Sequence, residues 1–170
     1  MLARVEVKFM KIGIDPGISG ALALLKDDNS LIEVVDMPIM SLRKGKNQVN
    51  AAELGKVLTK WRDWRFFDVA GKKLVSAVSY LEDVHSMPGQ GVSACFSFGA
   101  SFGAIQGVLG ALEIPVVLVT PQSWKKKAGL IGKDKDMCRT LMQRRFPQAP
   151  LSRKKDIGRA DAIAIALYGS

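Results

Sequence analysis

The alternation of apolar and polar positions divides the chain into strand-like and helix-like stretches. Met10–Asp15 (MKIGID) reads as a β-strand ending on a carboxylate. Pro16, Gly17 and Gly20 then turn the chain into a second apolar run, Ala21–Leu25, as its hairpin partner. Leu31–Asp36 is a third strand after a polar turn. Asn50 is placed to cap a helix running to about Trp64, in which Leu54, Val57, Leu58 and Trp61 form one apolar stripe. Leu74–Glu82 is a fourth strand, again with an acid at its exit. Ser93–Leu112 reads as a long helix, with Ser93 as its candidate cap and Gly99, Gly103, Gly107 and Ala111 recurring every four residues. Glycine costs about 1 kcal/mol relative to alanine inside a helix, so this row predicts close packing against the sheet or against a second copy of the chain. Ile114–Thr120 is a short continuous apolar run, the mark of a strand buried on both faces. Beyond Pro121 come one or two helical turns carrying Trp124, then a helix over Lys133–Phe146 with Met137, Leu141 and Met142 turned inward. A last helix runs from about Ile157 to Tyr168, apolar on every side and therefore buried. Three strands followed by helices and further strands predict an α+β or mixed α/β fold. Residues 1–170 read as one domain, with 1–9 either an N-terminal extension or a longer first strand.

Composition narrows the setting. The 48% hydrophobic and 24% charged content is that of a soluble globular protein. The apolar runs read as too short to span a bilayer, so no membrane partner is expected. The opening residues lack an apolar signal core, and the two cysteines, Cys95 and Cys138, fit neither a zinc site nor a disulfide framework. The expected setting is intracellular. The formal charge is +9, and residues 121–160 carry 12 Lys and Arg against 3 Asp, while the rest of the chain holds 13 of each sign. The whole excess therefore lies in one segment, which points to a polyanionic partner, most plainly nucleic acid. Within it, Trp124 beside Lys125, Lys126 and Lys127 suits a stacked base and a phosphate backbone. Lys133, Lys135, Arg139, Arg153, Lys154 and Lys155 extend that basic surface.

Four carboxylates stand at the ends of these elements: Asp15 and Glu82 at strand exits, Asp156 and Asp161 at the start of the last helix. Each has a plain structural alternative. Asp15 can bond the backbone of its own turn, and an acid at a helix N-terminus is favoured by about 0.3–1 kcal/mol through the helix dipole. If the first and fourth strands are neighbours, Asp15 and Glu82 share one edge, where two unpaired acids repel and a divalent metal becomes the natural partner. Oxygen ligands without His or Cys at ligand spacing suit Mg²⁺ or Mn²⁺ rather than Zn²⁺. Such ions activate water against a phosphodiester. His85, the single histidine, and Met87 follow Glu82 in a loop placed to contact DNA.

The motifs IGIDPGISGALAL, YLEDVH, TPQSWKK and KKDIGRADAIAIALYG, in that order, resemble those of the RuvC-type Holliday junction resolvases in the ribonuclease-H-like superfamily, above all the phage and chloroplast branch. The resemblance covers nearly the whole chain. It implies an α/β fold with a five-stranded mixed sheet, strands 1–3 antiparallel, flanked by helices. It also implies a homodimer that nicks branched DNA symmetrically with Mg²⁺ (Mn²⁺ substituting), leaving 5′-phosphate and 3′-hydroxyl ends. Asp15, Glu82 and Asp161 match the family acids and Asp156 a fourth ligand. Lys125 matches a lysine that approaches the scissile phosphate, Lys135 a second basic position, and His85 the place of a junction-opening aromatic. Gly158 stands where bacterial members carry an acid or a histidine. The alternatives are a broader debranching nuclease on the same fold and a junction-binding protein without activity.

Overall fold

The computed structural model describes residues 8–42, 45–63, 75–85 and 89–170. Strands β1 (Lys8–Asp15), β2 (Ala21–Leu25) and β3 (Leu31–Asp36) form an antiparallel meander. A two-stranded hairpin, β4 (Ile39–Ser41) with β5 (Asn47–Val49), leads into helix α1 (Ala51–Arg62). Strand β6 (Val75–Glu82) pairs parallel to β1, helix α2 (Val92–Ala111) follows, and β7 (Val116–Val119) pairs parallel to β6. Helices α3 (Pro121–Lys127) and α4 (Asp136–Arg145) and a 3-10 turn at Lys154–Asp156 precede the last helix, α5 (Ile157–Tyr168). The main sheet has the order β3-β2-β1-β6-β7.

The period of two along each strand decides which helix each side chain meets. Met10, Ile12 and Ile14 of β1, Leu22 and Leu24 of β2 and Leu81 of β6 face a core completed by Leu54, Leu58 and Trp61 of α1 and Ile105 and Leu109 of α2. Ala21, Ala23, Leu25 and Tyr80 face the other way, into a core built on α5 with Trp124, Met142 and Phe146. Lys11, Gly13 and Asp15 lie on that second face by parity, and so does Glu82. The expected cap of α1 forms, Asn50 accepting from the Glu53 N–H at 3.2 Å.

Several expectations change. Strand β7 is the sheet edge, and Val116, Val117 and Leu118 are exposed while only Val119 is buried. A continuous apolar run there does not mean cover on both faces. Helix α4 begins three residues later than its periodicity suggested, because Asp134 accepts from the Asp136 N–H at 2.8 Å and holds Lys133–Lys135 in a turn. Met137 consequently faces solvent, and Cys138 and Met142 are the buried residues of α4. Helix α2 is capped at Gly91, not Ser93, whose hydroxyl bonds Lys46 at 2.9 Å. The α2 glycines do not pack against the described residues of this chain: a Cβ on Gly99, Gly103 or Gly107 would meet none of them within 4 Å. By length and composition α2 is also apolar enough to cross a bilayer, although Ser101, Ile105 and Leu109 seat it against the core. The end of the first helix at Trp64 and residues 1–7 lie outside the described residues.

The close approaches occur elsewhere. A Cβ on Gly13 would stand 2.0 Å from the Ala162 carbonyl oxygen, and one on Gly158 would stand 2.4 Å from that of Ser19. Helix α5 therefore lies directly on the backbone of β1 and of the turn after it. Gly13→Ala is expected to destabilise the fold by about 3 kcal/mol or more, as overpacking against fixed backbone does, whereas Gly103→Ala is neutral or stabilising in the monomer. Denaturant melts of the two variants check this.

Candidate active site

The parallel register places Ile14 beside Leu81, so the next residues, Asp15 and Glu82, leave adjacent strands at the same end and on the same face. Asp161 enters that space from the first turn and a half of α5. The three carboxylates feel one another: burial is the main cause raising Asp15 to about 7, with the charges of Glu82 and Asp161 adding to it. Burial likewise raises Asp161 to about 6, with Glu82 contributing. Glu82 is raised as well, again chiefly by burial. Lys125 is the cation whose charge acts against the rise at all three acids.

Among the described residues each acid has a donor. The Gly17 N–H reaches Asp15 Oδ1 at 3.4 Å, a long contact that realises the turn-capping alternative in weak form. Trp124 Nε1–H donates to Glu82 Oε1 at 2.8 Å. The Cys138 thiol hydrogen-bonds Asp161. Beside the acids lies a cleft of about 300 Å³ lined by Lys125, Lys133, Lys135, Cys138 and Asp161 among others. An all-carboxylate set suits a hard divalent cation in its donor chemistry. Among the described residues, however, no three His, Cys, Asp or Glu side chains form a ready-made metal cage.

Asp156 does not join the cluster. Its side chain is 2% exposed and pairs with the Arg153 guanidinium at 2.7 Å, while its other oxygen accepts from the Arg153 N–H at 2.8 Å. The Arg153 hydrogen bond outweighs burial and holds the acid below the usual carboxylate range. Arg159 links this pair to Asp36 at 2.6 Å. The charges that act on Asp15 are those of Glu82, Asp161 and Lys125, and Asp156 is not among them. Gly158 explains the lack of a ligand at its position, since the Ser19 carbonyl leaves no room for a side chain.

The basic residues divide in the same way. Trp124 is fully buried, so it is not placed to stack on a base, although Lys125 lies over its ring at 5.2 Å. Arg139 is committed to Asp136 at 2.6 Å and to the Leu151 carbonyl at 2.9 Å. Arg153 serves Asp156. Lys127 bonds the Ser170 carbonyl. Lys126, Lys133, Lys135, Lys154 and Lys155 are exposed. His85 is exposed and 3.8 Å from Asp83. Met87 lies outside the described residues. The supports at Trp124 and Cys138 carried no periodic signal in the sequence: Trp124 read there as a DNA contact and Cys138 as a reduced thiol.

The comparisons agree with this architecture. No family model matches the chain. A stretch of 97 residues is 36% identical to the chloroplastic Holliday junction resolvase MOC1 of Chlamydomonas reinhardtii, which is 55% of this chain but only 11% of that relative's length. Among solved structures, RuvC of Thermus thermophilus in complex with a Holliday junction substrate superposes with a TM-score of 0.55 at 18% identity, covering 94% of this chain and 91% of that one. A second structure of Thermus thermophilus RuvC gives a TM-score of 0.54, also at 18% identity, over 94% and 92%. The chain has the RuvC fold, and the resemblance to RuvC-type resolvases read from its motifs is borne out.

The raised acids have a consequence for stability. A carboxylate whose pKa is higher folded than unfolded favours folding below its unfolded value, and that contribution is lost as pH rises through the folded value. For Asp15 the window runs from 3.8 to about 7. Asp15→Asn is therefore expected to raise Tm of the metal-free protein at pH 8 by several degrees, with the gain vanishing near pH 4. Thermal melts across pH check it, and a gain independent of pH would contradict the assigned environment of Asp15.

Proposed function

We propose, for a chain with the RuvC fold and a partial sequence likeness to a chloroplast resolvase, that it is a structure-selective endodeoxyribonuclease acting on four-way DNA junctions. The observation that carries this reading is the convergence of Asp15, Glu82 and Asp161, with Lys125, beside a lysine-lined cleft. Three carboxylates opposed by the single charge of Lys125 are poised for a further cation. Asp15, Glu82 and Asp161 are the residues that would hold Mg²⁺ or Mn²⁺. When bound, such an ion lowers the pKa of water and stabilises charge on a phosphoryl oxygen. Lys125 would contact an oxygen of the scissile phosphate, while Lys133 and Lys135 hold the flanking backbone. Cleavage would leave 5′-phosphate and 3′-hydroxyl ends. Asp156 is assigned to the Arg153–Arg159–Asp36 network as a structural acid.

Paired nicks require two such centres. The outward face of α2, with Phe96 79% exposed, Val92 87% exposed and an open glycine row, supports a homodimer through that helix. Sedimentation at micromolar concentration is expected to give a dimer, and Gly103→Arg a monomer. A wild-type monomer would count against the dimer.

With Mg²⁺ present, the protein is expected to make paired nicks on a synthetic four-way junction and none on plain duplex. Nicks on flaps or forks as well would favour the broader debranching nuclease, and binding without nicks the inactive junction-binding protein. Asp15→Asn should lower cleavage by about a thousandfold or more while junction affinity holds or rises, since one negative charge leaves the phosphate site. Lys125→Ala should slow cleavage more than it weakens binding. An Asp15→Asn variant with wild-type activity would refute the assignment.

A further inference from the structure

The acids of this centre are held differently from acids that serve the fold. Asp36, Asp136 and Asp156 are each gripped by an arginine. Glu82 instead takes a bond from a neutral donor, the indole of Trp124 at 2.8 Å, and its second oxygen, Oε2, has no hydrogen bond among those described. The difference matters for a cation. A guanidinium orients a carboxylate but also neutralises it, and so weakens it as a ligand. An indole N–H is a donor only and carries no charge. It fixes one oxygen and leaves the acid its full negative charge.

The indole is itself rigidly placed. Trp124 is 0% exposed and packs in the core beneath α5. Its helix is started by Thr120, whose hydroxyl accepts from the Ser123 N–H at 3.2 Å, and by Pro121 at the first helical position. Lys125, the next residue, reaches the acids from the same turn. One short helix therefore delivers both the donor that orients Glu82 and the cation that faces the cluster. A second indole–carboxylate pair makes the contrast within this chain. Trp61 Nε1–H bonds Glu33 at 2.8 Å, but there Lys60 also grips the carboxylate, at 2.9 and 3.0 Å.

We propose that Trp124 is a positioning residue of the cation-binding centre, committing Glu82 Oε1 to the protein so that Oε2 serves as the ligand oxygen. This rests on the reading of Asp15, Glu82 and Asp161 as that centre. Partners of ligating carboxylates, when removed, typically cost about 10–100-fold in metal affinity.

The test uses the full chain, free of metal, with Mg²⁺ and Mn²⁺ as probes. In a ¹H–¹⁵N spectrum of the wild type, the Trp124 indole resonance is expected to move on addition of Mg²⁺ and in Glu82→Gln, while that of Trp61 stays. By calorimetry, Trp124→Phe should bind Mn²⁺ about 10–100-fold more weakly. A wild type that binds neither ion would bring down the cation-centre reading and this proposal with it. A wild type that binds, with a static Trp124 resonance or with Trp124→Phe binding equally well, would overturn the positioning role alone. Should Trp124→Phe not fold, the wild-type spectrum still decides.

Discussion

The contact on which the rest depends is the seating of α5 on the bare backbone of β1. Gly13 presents no Cβ, so the Ala162 carbonyl and the Ala166 amide come within the distance a side chain would occupy. Gly158 does the same against the turn that follows β1. These two approaches fix the height and rotation of the helix on the sheet. Asp161 is carried on that helix and Asp15 on that strand, so their relation is set by backbone contact and not by flexible side chains. Alanines at 160, 162, 164 and 166 keep the rest of the seat shallow.

The same seat creates an electrostatic cost. Helix and sheet exclude water from the exits of β1 and β6, and that loss of hydration does most to raise Asp15, Glu82 and Asp161. Acids that serve the fold meet the opposite treatment, with arginines that depress them. Two populations of carboxylate thus coexist five residues apart, at the start of α5. Asp156 is neutralised and silent, whereas Asp161 is left charged against its neighbours. Perturbed acids clustered in a cleft are the pattern expected of a functional centre.

Much of this was legible in the residues. Asp15 and Glu82 stood out as acids at strand exits that would share one edge if their strands were neighbours, as the parallel register makes them, and the wholly apolar run after Asp161 announced a buried helix. What escaped reading was partner choice. Asp156 and Asp161 look alike in sequence, and only the position of Arg153 separates them. Trp124 among lysines reads as a DNA contact, because nothing local reveals that its ring points into the core. The glycines of α2 drew notice by their spacing, yet Gly13 and Gly158, without any repeat, are the ones the packing demands. Val116–Leu118 misled for a similar reason: hydrophobic content reports that cover is wanted, not that the same chain provides it.

The pairing of β1 with α5 also orders events during synthesis. The lysines at 125–135 leave the ribosome before Asp161 does, so a nascent chain of that length still lacks one member of its acid cluster and the helix that seats it. Any incomplete polypeptide halted in that interval would leave bare the face of β1 and β2 that α5 covers.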